Sequence, residues 1–360
     1  MPGEKILEPP QDWVAEYEQY LLFCESDNRP RNPWATIKDR EIYALAWLAR
    51  EIGVASGELL QLIEYIRLAP VFNDLVYRPA SIPKRGGRRV IHVPTPKLLS
   101  MQRRINTKLL AQFRPAETVS GFSGGSIAKA LKPHLAAQSI LKVDFKEAFP
   151  SVTRDQVFKM FSTRFHWYVS NALTDLTTHQ GILPPGAPTS PRVFDLVCAD
   201  FDQRMIKLAE NVGGNYTRYA DNIFFSFPKE KFPRPLRQAI LKLVENQKHG
   251  HSQRRQGPSF KWHKLHVCTL STAVRALGLN IMNGQLHNTR PWKQRLRKTL
   301  HHVQYLLDHG LGYKHEWVVL EGMMQFACED TLPKKLTEQF NALYDRVYAV
   351  RRPWMYRTLS

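Results

Sequence analysis

The sequence predicts an α+β fold, because strand-like segments that end on acidic residues lie within a chain that is otherwise rich in helical periodicity. Residues 216–227 carry aromatic and β-branched side chains on both sides of Ala220-Asp221-Asn222, a pattern that predicts a β-hairpin with a carboxylate at its tip. Residues 140–143 form a second, mostly apolar run, which ends on Asp144. Taken alone, the hairpin is equally compatible with an ordinary surface turn, so the second acid is what indicates a site.

Helical periodicity is clearest near both ends of the chain. Apolar residues recur at helical spacing in residues 39–50 and 56–66, which predicts an N-terminal pair of helices. A basic helix is predicted to begin at Pro291, and further helices are predicted over residues 317–328 and 334–350. The C-terminal region is therefore expected to be a small helical unit.

The composition indicates a folded, strongly basic protein. Of its 360 residues 43% are hydrophobic, which supports a large core and argues against disorder. Lys and Arg number 51 against 32 Asp and Glu, a formal net charge of +19, and this surplus indicates a polyanionic partner. Because basic residues alternate with aromatic ones along the whole chain, a nucleic-acid track is favoured over a ribosome-associated or membrane-surface protein.

The cysteines and the N-terminus indicate a reducing environment away from membranes. Cys24, Cys198, Cys268 and Cys328 form no Cys-x-x-Cys pair, so neither a zinc site nor a disulfide framework is predicted. The N-terminus has no apolar signal region, and no apolar run of about 18 residues occurs in the sequence. We therefore expect a cytoplasmic protein with no membrane partner.

Two carboxylates at strand ends suit a divalent cation. Mg²⁺ is bound through oxygen ligands, usually one or two carboxylates together with substrate phosphates. Two such ions about 3.5–4 Å apart activate an attacking hydroxyl and stabilise the leaving oxygen of a phosphoryl transfer. Asp144 and Asp221 are therefore interpreted as Mg²⁺ ligands of a nucleotide-polymerising site.

Three segments resemble, in the right order and at the right spacing, the signature motifs of bacterial reverse transcriptases. Asp144 with Phe149-Pro150-Ser151 is similar to motif A, residues 181–191 to motif B, and residues 219–222, Tyr-Ala-Asp-Asn, to the motif C box Tyr-Ala-Asp-Asp. The resemblance runs from about residue 77 to about residue 322 and is closest to retron and group II intron-like enzymes, whose relatives include defence-associated reverse transcriptases. It implies a right-hand polymerase fold with fingers, a palm built of an antiparallel sheet plus helices, and a small helical thumb.

The resemblance also implies a division of the chain into regions. These are an N-terminal helical extension at residues 1–75, fingers at 76–142, a palm at 143–288 with a fingers segment at about 155–185, and a helical thumb at 289–360.

A metal-dependent catalytic centre is the first site that the resemblance implies. In the family, Asp144 and Asp221 bind two Mg²⁺ ions, for which Mn²⁺ is an alternative, and the backbone carbonyl of Phe145 is a further ligand. Asn222 stands where the family has a second Asp. It retains an oxygen ligand but lacks one negative charge, so we expect reduced or metal-shifted activity.

Other charged residues near these motifs have separate interpretations. Lys264, in a segment similar to motif D, is placed to protonate the pyrophosphate leaving group, and Lys261 is the alternative. Asp195, Asp200 and Asp202 lie on or near the helix that follows motif B, and they are interpreted as surface or structural acids.

A nucleotide-binding set is the second site that the resemblance implies. Lys84 and Arg89 flank the turn of a basic hairpin and match the family's triphosphate-binding residues, although a solvated basic surface is the alternative. Phe149 matches the aromatic residue that lies under the sugar and excludes a 2′-hydroxyl, although a core Phe is the alternative. In motif B, Pro185 replaces the family's Gln before Gly186, which predicts altered fidelity or substrate choice.

The function that these motifs imply is RNA-directed DNA synthesis. The expected partners are deoxynucleotides, a noncoding RNA template and the RNA–DNA duplex, with an effector protein or a homo-oligomer as further candidates, and a role in antiphage defence follows by analogy. Pro185 and Asn222 leave open a template-independent or protein-primed polymerase of the abortive-infection type. A non-catalytic RNA-binding scaffold with the same fold is the remaining alternative.

Overall fold

The computed structural model describes residues 33–68, 76–84, 87–121, 126–245, 261–327 and 331–355. Residues 1–32, which belong to the predicted N-terminal extension, lie outside the described residues. The α-helices in the described ranges are α1 (Pro33–Ile52), α2 (Ser56–Leu68), α3 (Pro96–Arg104), α4 (Ile127–Leu131), α5 (Arg154–Ser162), α6 (Trp167–Thr177), α7 (Ser190–Val197), α8 (Ala199–Asn211), α9 (Arg234–Glu245), α10 (Arg290–Asp308), α11 (Lys314–Gln325) and α12 (Lys334–Met355).

The strands form one large and two small sheets. They are β1 (Tyr77–Lys84), β2 (Gly87–Pro94), β3 (Val119–Ser120), β4 (Ser139–Lys146), β5 (Asn215–Tyr219), β6 (Asn222–Phe227), β7 (Lys261–Thr269), β8 (Val274–Ala276), β9 (Leu279–Met282) and β10 (Gln285–Asn288). The described strands pair as a β1–β2 hairpin, a three-stranded β8–β9–β10 sheet and a five-stranded sheet.

The predicted helices at both ends of the chain are confirmed. The N-terminal pair corresponds to α1 and α2, and the C-terminal unit corresponds to α10, α11 and α12. No helix in the described ranges combines the length and hydrophobicity needed to cross a bilayer. Cys198 and Cys268 are free thiols, as expected.

The five-stranded sheet has the order β3-β5-β6-β4-β7. Strand β4 pairs antiparallel with both β6 and β7, whereas β3 joins β5 in parallel. Leu141 and Val143 of β4 pack into the main hydrophobic core, and Ile140 packs into a second core. The apolar residues of β4 thus contribute to cores on both sides of the sheet, whereas Lys142 and Asp144 are only half-buried. The predicted β5–β6 hairpin is confirmed, with Ala220 and Asp221 as its two-residue turn.

The C-terminal helices and the small β8–β9–β10 sheet follow the central sheet. Ile281 of β9 packs with Phe224 of β6 in the second core. Helices α10, α11 and α12 have a core of their own around the buried Trp317. The Thr331 hydroxyl donates a hydrogen bond of 2.6 Å to the carbonyl of Leu286 in β10, so the helical unit is joined to the small sheet.

The β1–β2 hairpin docks against the loop that precedes α7. The backbone N–H of His92 donates a hydrogen bond of 2.7 Å to the carbonyl oxygen of Pro185. Gly186 adopts a φ of +109°, and a Cβ added there would lie 2.9 Å from the carbonyl oxygen of His92 and 3.2 Å from the Cβ of Ile91. Only glycine therefore permits this approach of two backbones.

A buried histidine joins α4, β5 and β6. His134 is fully buried, and its ring nitrogens lie 2.8 Å from the Ser226 hydroxyl and 2.7 Å from the Thr217 hydroxyl. The Thr217 hydroxyl donates its proton to the carbonyl of Ala130, so the His134 Nε2–H must donate to Thr217 and Nδ1 must accept from Ser226. Burial lowers the pKa of His134 from 6.5 to about 3, which keeps the ring neutral.

We predict that His134 makes the protein less stable at acidic pH. The unfolded chain binds a proton below pH 6.5 that the folded protein excludes until pH falls to about 3. The contribution of neutral His134 to the free energy of unfolding is therefore complete above pH 6.5 and is lost as pH falls from 6.5 to about 3. One such group changes the free energy of unfolding by at most about 1.4 kcal/mol per pH unit. Urea unfolding of His134→Gln between pH 7 and pH 4.5 should show a smaller pH dependence than the wild type shows. The exposed His301→Gln variant is the control for the substitution itself, and an unchanged dependence in His134→Gln would contradict the assignment.

We predict that Gly186→Ala separates the β1–β2 hairpin from the α7 loop. Gly181→Ala is the matched control, because Gly181 also has a positive φ, of +78°, but an added Cβ there meets no atom within 4 Å. Both variants carry the backbone strain of about 1–2 kcal/mol, and only Gly186→Ala adds the clash. Hydrogen–deuterium exchange across β2 should accelerate in Gly186→Ala alone. Equal exchange in the two variants would mean that docking does not depend on this contact.

Candidate active site

Asp144 and Asp221, predicted as a pair from separate motifs, lie at adjoining strand ends. Asp144 of β4 is directly opposite Asn222 of β6 in the antiparallel register, so these two side chains lie on the same face of the sheet. The backbone N–H of Phe145 donates a hydrogen bond of 3.0 Å to the carbonyl of Asp221. The side-chain amide of Asn222 donates a bond of 3.0 Å to Oδ1 of Asp221. The register and these two bonds therefore bring the strand end that carries Asp144 next to the turn that carries Asp221.

The turn that carries Asp221 is held by its backbone groups. Ala220 adopts a φ of +55°, a conformation that is unfavourable for residues other than glycine. Its N–H donates a bond of 2.9 Å to the carbonyl of Ser120 in β3, and its own carbonyl accepts a bond of 2.9 Å from Nη1 of Arg218. These contacts preserve a backbone geometry that the Ala side chain alone disfavours.

Asp221 is a partly desolvated carboxyl group, which favours the binding of a cation. Burial raises the pKa of Asp221 above its usual value, while its own backbone N–H, the charge of Arg89, the Asn222 amide and the charge of Arg218 act in the opposite direction. A desolvated carboxylate gains stability when it binds a positive charge. Arg89 comes from β2, so the hairpin predicted to bind triphosphate brings its positive charge to the carboxylate of the β5–β6 turn.

The donors present fit Mg²⁺ or Mn²⁺ only in part, so the remaining ligands must come from elsewhere. Among the described residues, His, Cys, Asp and Glu side chains form no group of three or more that could hold a metal ion. Asp144, Asp221 and the Asn222 amide oxygen offer hard oxygen ligands, and Mg²⁺ is commonly held by one or two carboxylates together with substrate phosphates. The site therefore suits a cation that is bound jointly by protein and nucleotide.

The β4–β7 ladder is irregular at the strand end that carries Asp144. Asp144 pairs with Lys264, whereas Phe145 pairs with Trp262, so β7 contains one extra residue at this point. Such bulges redirect side chains and are frequent beside active sites. The backbone of Lys264 thus lies across from Asp144, and its role as a proton donor stays a prediction. The side chains of Lys264 and Lys84 lie outside the described residues.

An aromatic cluster supports the segment that follows Asp144. Phe194 of α7 meets Phe149 edge to face with ring centroids 5.8 Å apart, and it meets Phe145 in the same way at 6.0 Å. Phe145 is buried, whereas Phe149 is half-buried. The ring predicted to contact the sugar is therefore fixed from one side by α7.

Pro185 and Gly186 lie where the β1–β2 hairpin meets the loop before α7. Pro185 is buried, and its carbonyl accepts the His92 N–H. Gly186 is exposed beside it. The predicted role of both residues in nucleotide selection stays a prediction, and it now has a location between the hairpin and α7.

The sequence reasoning missed a buried ionic group beside the turn. Arg218 is fully buried and pairs with Asp195 at 2.8 Å and with Asp202 at 2.7 Å. Asp195 and Asp202 are therefore structural acids, whereas Asp200 lies at the surface and pairs with Arg204 on the same helix. The available signal was the strand period, because Arg218 is two residues from the buried Tyr216 and thus on the same inward face.

Comparisons with known proteins agree with this geometry. Residues 76–281 match the family model described as reverse transcriptase, an RNA-dependent DNA polymerase. The retron Ec86 reverse transcriptase of Escherichia coli is 27% identical over 246 residues, covering 67% of this chain and 74% of that protein. The retron Mx65 reverse transcriptase of Myxococcus xanthus is 31% identical over 275 residues, covering 71% of this chain and 61% of that protein.

Further similarities are shorter or more distant. The retron Mx162 reverse transcriptase of Myxococcus xanthus is 34% identical over 178 residues, covering 44% of this chain and 37% of that protein. Among solved structures, telomerase from Candida tropicalis in complex with a fragment of telomeric RNA is similar over 77% of this chain and 55% of that chain, with 11% identity and a TM-score of 0.45. With its family model spanning the strands that carry Asp144 and Asp221, and with an α+β polymerase fold, the chain belongs to the reverse transcriptase family of RNA-dependent DNA polymerases.

Proposed function

We propose that this protein extends a primer with deoxynucleotides on a noncoding RNA template, with Asp144 and Asp221 as ligands of two Mg²⁺ ions. The observation that carries the proposal is the register of β4 and β6, in which Asp144 lies opposite Asn222 and the Asn222 amide contacts Asp221. Mn²⁺ is the alternative ion, because the Asn222 amide offers oxygen without charge.

The residues of the chain have distinct roles in the proposed reaction. Bound divalent cations would activate the primer hydroxyl and stabilise charge on the transferred phosphoryl group. Asp144, Asp221 and the Phe145 carbonyl would hold them, and Asn222 would orient Asp221 through its amide. Lys264, whose backbone lies opposite Asp144, would donate a proton to the pyrophosphate leaving group.

The incoming nucleotide would bind between the β1–β2 hairpin and the catalytic strand ends. Lys84 and Arg89 would contact its phosphates, and the influence of the Arg89 charge on Asp221 supports this assignment. Phe149 would lie under the sugar, and its edge-to-face contact with Phe194 would hold the ring against a 2′-hydroxyl. Gly186, which has no side chain, would let the nucleotide approach the loop before α7.

The template–primer duplex would be held mainly through its phosphates. The net charge of +19 supplies the general attraction. A cleft of about 370 Å³ between α10 and α11 is lined by Arg295, Lys298 and His302, with Glu316 on the other helix, and its basic edge suits a sugar–phosphate backbone. This cleft supports the C-terminal helices as a thumb.

The proposal keeps the regions that the motif order implies. They are an N-terminal extension at 1–75, fingers at 76–142, a palm at 143–288 that includes a fingers segment at about 155–185, and a thumb at 289–360. The separate hydrophobic core of α10, α11 and α12 supports the last of these regions. By analogy with retron-like enzymes, we propose that the protein is cytoplasmic and serves in antiphage defence. The same analogy proposes an effector protein or a second copy of the chain as its partner.

The first test is primer extension with Mg²⁺ or Mn²⁺ on a defined RNA template. Asp144→Asn and Asp221→Asn should each abolish extension, because each removes a charged ligand that Asn cannot replace. Asn222→Asp restores a negative charge, so it should lower the Mg²⁺ concentration that gives half-maximal extension. It should also reduce the ratio of the extension rate with Mn²⁺ to the rate with Mg²⁺. A wild type that is inactive with both ions, and that only Asn222→Asp activates, would contradict the proposal.

Nucleic acid that copurifies with the protein tests template use. RNA and DNA from the wild type and from Asp221→Asn should be sequenced separately. A defined RNA with complementary DNA that is absent in the variant is expected. DNA without a complementary RNA would favour template-independent or protein-primed synthesis, and RNA with unchanged DNA would favour a scaffold.

Sugar selection tests the position of Phe149. Phe149→Val should raise ribonucleotide incorporation relative to deoxynucleotide incorporation by about tenfold or more, because space opens beside the 2′ position. Phe158→Val is the matched control, since Phe158 is also half-buried but packs against Trp167 on α6. An equal preference for deoxynucleotides in both variants would mean that Phe149 only packs in the core and does not select the sugar.

A further inference from the structure

Arg218 is a buried arginine whose guanidinium group makes hydrogen bonds to two carboxylates and to one backbone carbonyl. It is the second-last residue of β5 and is fully buried. Its Nε and Nη2 donate to the two carboxylate oxygens of Asp202 at 2.9 and 2.7 Å. Its Nη1 donates to Asp195 at 2.8 Å, and the Tyr216 hydroxyl donates to Asp202 at 2.6 Å. The guanidinium is thus held in one orientation by two helices, α7 and α8.

A stability role alone does not account for this arrangement. Removing charges from water is costly, and buried ion pairs often contribute no more stability than apolar residues of similar volume. The same Nη1 that contacts Asp195 also donates a bond of 2.9 Å to the carbonyl of Ala220. The oriented guanidinium therefore has a second target, which is the residue immediately before Asp221.

Ala220 needs such support. Its φ of +55° is unfavourable for a residue with a Cβ, and its N–H is already bonded to Ser120. The Asp221 carbonyl on the other side accepts the Phe145 N–H. Arg218 supplies a side-chain contact to the backbone of this turn, whereas the β3 and β4 contacts are made by backbone groups.

Helix α7 links this contact to the rest of the site. Phe194 precedes Asp195 in α7, and the guanidinium carbon of Arg218 lies 5.5 Å from the centre of its ring. The same ring also meets Phe145 and Phe149 edge to face. One helix therefore supports both the strand end at Asp144 and the arginine that contacts the Asp221 turn.

We propose that Arg218 is a positioning residue, which holds the Ala220 carbonyl so that Asp221 points at the divalent cation. This inference rests on the proposed function, because it takes Asp221 as a metal ligand. Arg218 itself touches neither nucleotide nor metal. Its effect is to keep the turn in the one backbone conformation in which the carboxylate joins Asp144.

The test measures Mn²⁺ binding by electron paramagnetic resonance in the full-length protein, beside thermal unfolding and RNA binding. A deoxynucleoside triphosphate is present to supply the phosphate ligands, and a nucleotide-only sample is the blank. Arg218→Lys keeps the positive charge but lacks the planar fork, so it cannot contact Asp202, Asp195 and Ala220 together. We expect its Mn²⁺ dissociation constant to rise about tenfold, with RNA binding unchanged. The matched control is Arg204→Lys, at an exposed ion pair on α8, which should bind Mn²⁺ as the wild type does.

A second substitution separates positioning from stability. Glycine adopts a positive φ without strain, so Ala220→Gly should let the turn keep its conformation with less help from Arg218. In the Arg218→Lys background, it should reverse at least about a third of the rise in the Mn²⁺ dissociation constant, counted on a logarithmic scale. The single Ala220→Gly variant completes the cycle. A purely structural arginine would instead lower the melting temperature, leave the affinity of the folded protein unchanged, and gain nothing from the glycine.

A variant without the buried ionic group keeps the test decisive if Arg218→Lys does not fold. Arg218→Met with Asp195→Asn and Asp202→Asn removes all three buried charges together, which proteins tolerate better than removal of one. We expect weakened Mn²⁺ binding in this variant also. Wild-type affinity in a folded variant at position 218 would overturn the inference. Failure of the wild type itself to bind Mn²⁺ in the presence of the deoxynucleotide would instead overturn the proposed function.

Discussion

The antiparallel pairing of β4 with β6 is the constraint on which the candidate site depends. It aligns Asp144 with Asn222, the residue that directly follows the Ala220-Asp221 turn. Strand β4 is held in this position because Leu141 and Val143 pack into the main hydrophobic core and Ile140 packs into the second one. The chemistry at the strand ends therefore follows from the burial of the strands themselves.

The buried charges of this molecule lie beside the candidate site, at Arg218 and at Asp221. The structure buries Arg218 with two carboxylates and raises the pKa of Asp221 by removing it from water. Neither arrangement is an obvious contribution to stability. Both become understandable when the turn has to present a desolvated carboxylate in a fixed direction, since preorganised charges act most strongly where water is excluded.

Much of this fold and its central pair of acids could be read from the sequence. The apolar run before Asp144 and the aromatic hairpin around Asp221 are local patterns, and strand period and turn chemistry are sufficient to identify them. Helical periodicity located the N- and C-terminal helices for the same reason. Family resemblance added what no local pattern contains, namely the ordered motifs that predict a polymerase and the prediction that Arg89 binds the phosphates of the incoming nucleotide.

Other features were decided only by the tertiary structure. The acids of α7 and α8 looked alike in sequence, yet Asp195 and Asp202 are buried against Arg218 while Asp200 is exposed. Which acid turns inward depends on how two helices pack against β5, and that packing is set by residues far apart in the chain. The sequence by itself thus determined which residues could do chemistry and where strands and turns lie. Only the assembled fold determined which charged groups are desolvated and which hold the turn of Asp221, because burial and orientation are properties of long-range packing.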